Sequence, residues 1–387
     1  MPTVTLERIL ICVFLIYPSR FFVAATIDGS HLEYSSNQER VWVNNGDVET
    51  VVAYFFYSLI VMMLLYHFYR TSKYFKVSPL FLSIFFFYGL GLIFNYTNWP
   101  RTEIMGIFVF FLILLAVSGS SFTFALIFKI RFFQTLVLLV ICIFPFINYS
   151  RSFTKCTIDK CSIIGKLFTS FFPHENALAL FLFIGSILYF NKKSFFNIFM
   201  VSLHGILIVM TGSRLVIIIF FVLLLCTFLK PIAMYFAIWV VAVAAGVLYF
   251  TLMNPASLTG RGLIFLIGRN IFFENPLFGF GFGALTEAHS KWDLIGYGVS
   301  HEHNGIGVIL IRHGLVGGLA FVFYLAKIGK DISRKSKTQM LLLLGLVLTF
   351  PTEAASDFTL QNYLSWVYLV ALVSLVKEDN SNSCDTS

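Results

Sequence analysis

Residues 300–305 read Ser-His-Glu-His-Asn-Gly, two imidazoles and a carboxylate directly ahead of an apolar run. A histidine near its ordinary pKa is suited to take a proton from a sugar hydroxyl, so His303, with His301 and Glu302 beside it, is a candidate general-base centre. The same residues can instead form an interfacial helix start, with Asn304 as the N-cap. A metal triplet fits poorly, because histidines at i and i+2 do not share a helical face. No CxxC pair or His/Cys cluster elsewhere has zinc spacing, and no metal site is assigned.

Cations come next. Arg214 closes Thr211-Gly212-Ser213-Arg214, a short break between two apolar stretches. A charge there is costly unless it is paired or reaches water, which makes it a functional candidate, and a guanidinium offers a two-pronged fork to phosphate. The competing reading is a snorkelling interface residue. Arg261 and Arg269 flank the apolar stretch Gly262–Gly268 at a spacing close to two helical turns plus one residue, so both could lie on one face and either could meet an anionic headgroup. Arg20 and Arg312, also inside apolar stretches, rank lower. Glu175 and Asn176 follow Phe171-Phe172-Pro173-His174 and suit a helix start, with Glu175 kept as a substrate-contact candidate. Residues 274–283 are a Pro turn followed by alternating Gly and Phe. They lack the preceding strand and following Lys-Ser/Thr of a nucleotide loop.

The elements that must position these groups follow from composition. The chain has 387 residues, of which 58% are hydrophobic and 12% charged, with 47 Phe. Ordinary globular chains carry about 25% charge. The imbalance excludes a soluble protein, and it is the reverse of what disorder requires. Apolar blocks near the length of about 20 residues needed to span a bilayer recur throughout. They are solid runs rather than the alternation of a β-barrel, so the expected fold is all-α and polytopic. The expected spans are 9–27, 48–69, 79–97, 104–128, 132–148, 175–190, 195–213, 214–229, 232–253, 304–326, 339–351 and 362–376, about twelve transmembrane helices in a single membrane domain over 1–387. Pro18 and Arg20 interrupt the first block, which favours a retained helix over a cleaved signal peptide.

Basic clusters such as Arg70/Lys73/Lys76, Lys192/Lys193 and Lys327/Lys330/Arg334/Lys335/Lys337 fall in short connections, so the net charge of +8 reflects positive-inside loops rather than nucleic-acid binding. Both termini are then cytoplasmic. Two longer outside loops remain, 149–174 and 254–303, the second lying before the tenth helix and ending at His303. Cys156 and Cys161 share the first of these, where an oxidising compartment permits a local disulfide.

Taken in order, these residues resemble the superfamily of O-antigen polymerases and O-antigen ligases. His303-Asn304, nine residues, then Gly314-Leu315-Val316-Gly317 is similar to the family's His-[Asn/Ser/Gln]-x9-Gly-x-x-[Gly/Thr/Tyr] pattern. Gly260-Arg261 ahead of Asn275-Pro276-Leu277-Phe278-Gly279-Phe280-Gly281, Ser213-Arg214 at a span start, and His174-Glu175-Asn176-Ala177 resemble its other segments. Arg312 departs from it, since relatives often carry an acidic residue two positions before the Gly. The resemblance covers roughly 170–320. It implies a GT-C-like fold in the bacterial inner membrane, acting at the periplasmic face on an undecaprenyl-diphosphate-linked oligosaccharide within the membrane lipid. It also implies no cofactor, nucleotide sugar or metal, and no nucleic-acid partner, and it leaves room for a chain-length regulator protein. Carried over, His303 would deprotonate or orient the acceptor hydroxyl, while Arg214 and Arg261 would hold the diphosphate. His301, Glu302, Asn304, Arg269 and Glu175 would line the substrate. The polymerase is the favoured reading, with the ligase that transfers glycan to lipid A-core as the alternative. A flippase or transporter is the third reading, but the sequence offers no pair of broken helices to support it.

Overall fold

A computed structural model of the chain describes residues 31–34, 40–43, 47–71, 124–156, 160–172, 174–190, 194–252, 254, 261–280, 304–333 and 337–349, with isolated positions between Arg8 and Thr26 and at Leu112. It is mostly helical. The chain divides into two compact units, the first comprising Met1–Thr71 and Phe122–Phe228 and the second Ser72–Ser121 and Leu229–Ser387. This is a finer division than the one membrane domain expected.

In the first unit, β1 (His31–Tyr34) pairs antiparallel with β2 (Arg40–Val43), His31 opposite Val43. Helix α1 (Asp47–Thr71) follows, then α2 (Phe124–Ile147). The sequence suggests a loop near Lys129 and Arg131, between spans 104–128 and 132–148, but α2 runs straight through both. Lys and Arg are good helix formers, and their stems can lie along apolar surface; the Arg131 guanidinium sits 5.8 Å from the Tyr189 ring centre.

After a single turn at Tyr149–Ser152, β3 (Phe153–Lys155) pairs antiparallel with β4 (Lys166–Phe168), Phe153 opposite Phe168. A Cys156–Cys161 disulfide closes part of the connection, with Cα atoms 4.7 Å apart. Helices α3 (Glu175–Ile187), α4 (Phe195–Thr211) and α5 (Arg214–Cys226) complete the unit and pack on one another. Phenylalanine fills its core: Phe171 stacks on Phe172 at 4.9 Å and meets Phe22 at 5.4 Å and Phe144 at 5.7 Å, edge-on. Such pairs add to the burial of the rings themselves.

The second unit contains α6 (Pro231–Thr251), α7 (Arg261–Glu274), α8 (Gly305–Ser333) and α9 (Lys337–Thr349). Pro231 opens α6 at a position where no backbone donor is lost. Tyr249, Phe265, Ile267, Ile271, Phe272, Leu310 and Ile311 form a buried cluster. Helix α7 lies within the stretch 254–303 read as an outside loop, and it contributes four residues to that core. Its apolar run is too short to register as a span, which is why hydropathy reads it as loop.

Three helices among the described residues are long and apolar enough to cross a membrane: Lys129–Ile147, Pro231–Thr251 and Gly305–Lys327. The blocks expected at 175–190, 195–213, 214–229 and 339–351 appear as helices of 13, 17, 13 and 13 residues. At about 1.5 Å per residue these fall short of a hydrocarbon core of about 30 Å. The blocks at 79–97 and 362–376 lie outside the described residues, as does most of 9–27 and of 104–128. Ile232, Phe236, Val240, Val243 and Val247 form an exposed apolar stripe along α6, and Phe132, Leu136, Leu139 and Ile143 form another along α2. Contiguous exposed apolar faces of this kind suit lipid, not water.

Candidate functional site

The first-unit site is built at the start of α3. The ring Nδ1 of His174 accepts the Asn176 amide at 3.0 Å and so caps the helix. That acceptor role places the ring proton on Nε2. Glu175 is buried, 1% exposed, and its Oε1 accepts from Lys160 Nζ at 2.9 Å. A buried carboxylate requires such a partner, and the positive end of α3 adds to its stabilisation. Lys160 also donates to Asn176 Oδ1 at 2.6 Å, and that same oxygen accepts from Ser213 Oγ at 2.9 Å. The polar chain therefore runs from Glu175 through Lys160 and Asn176 to the residue before Arg214.

Arg214 is carried by a tight turn. Helix α4 ends on Gly212 in the left-handed region, at φ 68°. Thr211 donates its hydroxyl to Ile208 O at 2.6 Å and accepts the Ser213 amide at 3.2 Å. A Cβ on Gly212 would lie 2.8 Å from Leu167 Cδ2 and 3.2 Å from Ser162 N, so the turn is seated on the disulfide-closed hairpin. Ser213 occupies the N-cap position of α5 but gives its hydroxyl to Asn176 rather than to the helix. Arg214, the first residue of α5, is exposed. Arg214 opens α5 at its positive end, where an anion is favoured, and its neighbour Ser213 is bonded to the start of α3.

In the second unit Arg261 is the first residue of α7. Arg269 is buried, donating Nη1 to Phe250 O at 2.5 Å and Nη2 to Leu252 O at 2.9 Å. It caps the carbonyl end of α6, a structural task that its charge alone did not announce. Asn304 is buried and caps α8, its Oδ1 accepting from Ile306 N at 3.0 Å and Gly307 N at 2.9 Å. The N-cap reading of Asn304 is therefore realised. Arg312 and His313 are buried in α8. His301, Glu302, His303 and Arg20 lie outside the described residues, as does the Arg261 side chain.

The motif glycines have a common physical origin. The span expected over 304–326 is not continuous: α8 breaks at Gly314, at φ 64° and ψ −164°, a region open essentially to glycine alone. An unbroken helix would pair Leu315 N with Ile311 O. Instead Leu315 N donates to Pro276 O at 2.7 Å, Val316 N donates to Leu277 O at 3.1 Å, and Ile311 O accepts from Phe280 N at 2.8 Å. The Pro turn is closed by Asn275, whose Nδ2 donates to Gly279 O at 2.6 Å. Gly279, at φ 68°, approaches so closely that an added Cβ would lie 2.6 Å from Ile311 O; one on Gly314 would lie 2.3 Å from Leu277 O. Every backbone group named here that the break frees finds a partner in residues 276–280, as apolar surroundings demand.

The structure thus brings Glu175 and Arg214 together with Lys160, Asn176 and Ser213 in one unit, and places Arg261, Arg269, Asn304 and the paired glycines in the other. Lys160 is the member that sequence reasoning missed, since a lone lysine in a loop carries no periodicity or motif. Neither a family model nor a curated protein sequence matches the chain.

Proposed function

We propose that the protein is an O-antigen or related surface-polysaccharide polymerase of the bacterial inner membrane. It transfers an undecaprenyl-diphosphate-linked glycan onto a lipid-linked repeat unit at the periplasmic face. The acceptor hydroxyl attacks the anomeric carbon with inversion, its proton passes to His303, and the bond to the diphosphate breaks. Arg214 neutralises the charge that grows on the departing diphosphate, a role the resemblance also gives to Arg261, and fixed cations are most effective where charge develops. The reaction is read as metal-independent, with no cofactor.

The observation that carries this reading is Arg214: an exposed arginine at the head of an apolar helix, on a turn that Ser213 ties through Asn176 to a second helix start and an ion-paired lysine. A diphosphate in the headgroup layer is the anion such an arrangement suits. The disulfide in the hairpin beneath it supports an oxidising, outward-facing side. The resemblance of His303 to Gly317 to the family pattern supplies the polysaccharide chemistry.

The test is the lipopolysaccharide profile of a strain lacking the gene. Core bearing a single repeat unit, with the ladder gone, identifies the polymerase. Bare core with accumulated lipid-linked polymer identifies the ligase, and an unchanged ladder rejects both. Complementation with His303→Ala or Arg214→Lys should fail to restore the ladder although the chain reaches the membrane, because a point charge does not reproduce the fork.

A further inference from the structure

We propose that Lys160 is a positioning residue that holds the turn carrying Arg214, and that the Cys156–Cys161 disulfide installs it. The functional half of this inference rests on the reading of Arg214 given above; the structural half does not. Two separate contacts converge on the turn. The first is polar: Lys160 Nζ bridges Glu175 Oε1 and Asn176 Oδ1, and Asn176 Oδ1 takes the Ser213 hydroxyl. The second is steric: Gly212 packs against the backbone of Cys161 and Ser162 and the side chain of Leu167. Lys160 immediately precedes Cys161, so the covalent bond that shapes the hairpin loop also sets where the ammonium can reach.

The chemistry explains why a lysine is needed. Glu175 is buried, and losing the Lys160 ammonium removes a 2.9 Å charge-assisted bond from a carboxylate that water does not solvate. Asn176 would then lose one of the two donors on its Oδ1, and the hydroxyl of Ser213 would be held by an oxygen no longer fixed in place. Closing the loop covalently lowers the freedom the lysine gives up on pairing, so the bridge forms with less opposing entropy. Among the described residues Arg214 makes no hydrogen bond or ion pair. It is positioned through its neighbour, as the first residue of the helix that Ser213 begins.

Hydrogen exchange on the full chain in lipid nanodiscs tests the structural half. In Lys160→Met and in the Cys156→Ser/Cys161→Ser double variant, amides of residues 211–217 should exchange about tenfold faster than in the wild type, while residues 304–316 of the second unit stay unchanged. Lys160→Arg, which keeps a cation with two donors, should retain wild-type exchange. Unchanged exchange at 211–217 in Lys160→Met overturns the proposal. So does a loss of protection across the whole chain, which would make the lysine a general stabiliser. The functional half is read from elongation with a lipid-diphosphate-linked glycan donor. A KM about tenfold higher with kcat within about twofold, in Lys160→Met alone, is the expected split for a group that only positions. Faster exchange with unaltered elongation would uphold the positioning role and reject Arg214 as the diphosphate ligand.

Discussion

Arg214 in the first unit and Arg269 in the second are the same residue type beside apolar helix ends, and both were candidates for the same anionic ligand. Their surroundings separate them. Arg269 is buried, with two guanidinium nitrogens on the carbonyls of Phe250 and Leu252. Arg214 is exposed, and the side chains around it are spent on holding its turn rather than on its charge. The contrast extends to how each unit secures its motif. The first unit uses charged and polar side chains: Lys160, Glu175, Asn176 and Ser213. The second uses main chain, exchanging three hydrogen bonds between a Pro turn and a broken helix. One construction is sensitive to the loss of a charge, the other to the gain of a methyl group.

The largest expected effect sits in the main-chain construction. Gly314→Ala places a Cβ 2.3 Å from Leu277 O at a backbone conformation closed to alanine, and should cost about 3 kcal/mol or more. Thermal unfolding in detergent would show it, and a wild-type midpoint would break the comparison. Arg269→Ala comes next. Removing a buried guanidinium that holds two carbonyls should cost about 2–4 kcal/mol, seen as a lower denaturant midpoint. Asn304→Ala removes a helix cap, for which about 1 kcal/mol is expected, and exchange should quicken first at the Ile306 and Gly307 amides. Arg214→Ala is the smallest, within about 0.5 kcal/mol of wild type, because an exposed side chain contributes little to folding. The two arginine variants sharpen the distinction most: a destabilisation by Arg214→Ala equal to that of Arg269→Ala would make the two arginines structural alike.

Much of the helical framework was legible because apolar length and flanking breakers are written in residue types. Pro231 opens α6 one residue ahead of the expected block, and Gly212 ends α4 one residue inside its expected limit. Ser213-Arg214 was legible as a helix start for the same reason. Other features depend on information that hydropathy does not contain. Lys129 and Arg131 resemble a loop in composition but not in conformation. Helix α7 is short and holds glycine, yet its apolar face fits a core supplied from elsewhere in the chain. The break at Gly314 is a matter of φ and ψ, invisible in an apolar run, although the motif spacing marked the residue. Arg269 shows the limit from the other side: its charge was plain in the sequence, while the carbonyls it serves belong to another helix. Lys160 was missed because its meaning lies wholly in where the hairpin returns.

The Pro turn precedes the broken helix in the chain, and that order matters during synthesis. Residues 276–280 leave the ribosome before residues 311–316 do. When the second half of α8 reaches the bilayer, the carbonyls of Pro276 and Leu277 and the amide of Phe280 are already available to receive it. With the reverse order, the amides of Leu315 and Val316 would have to wait in an apolar medium for partners not yet made. The break can therefore close as it is delivered, so a helix with a gap in its ladder need not pass through a stage of unsatisfied backbone on its way into the membrane.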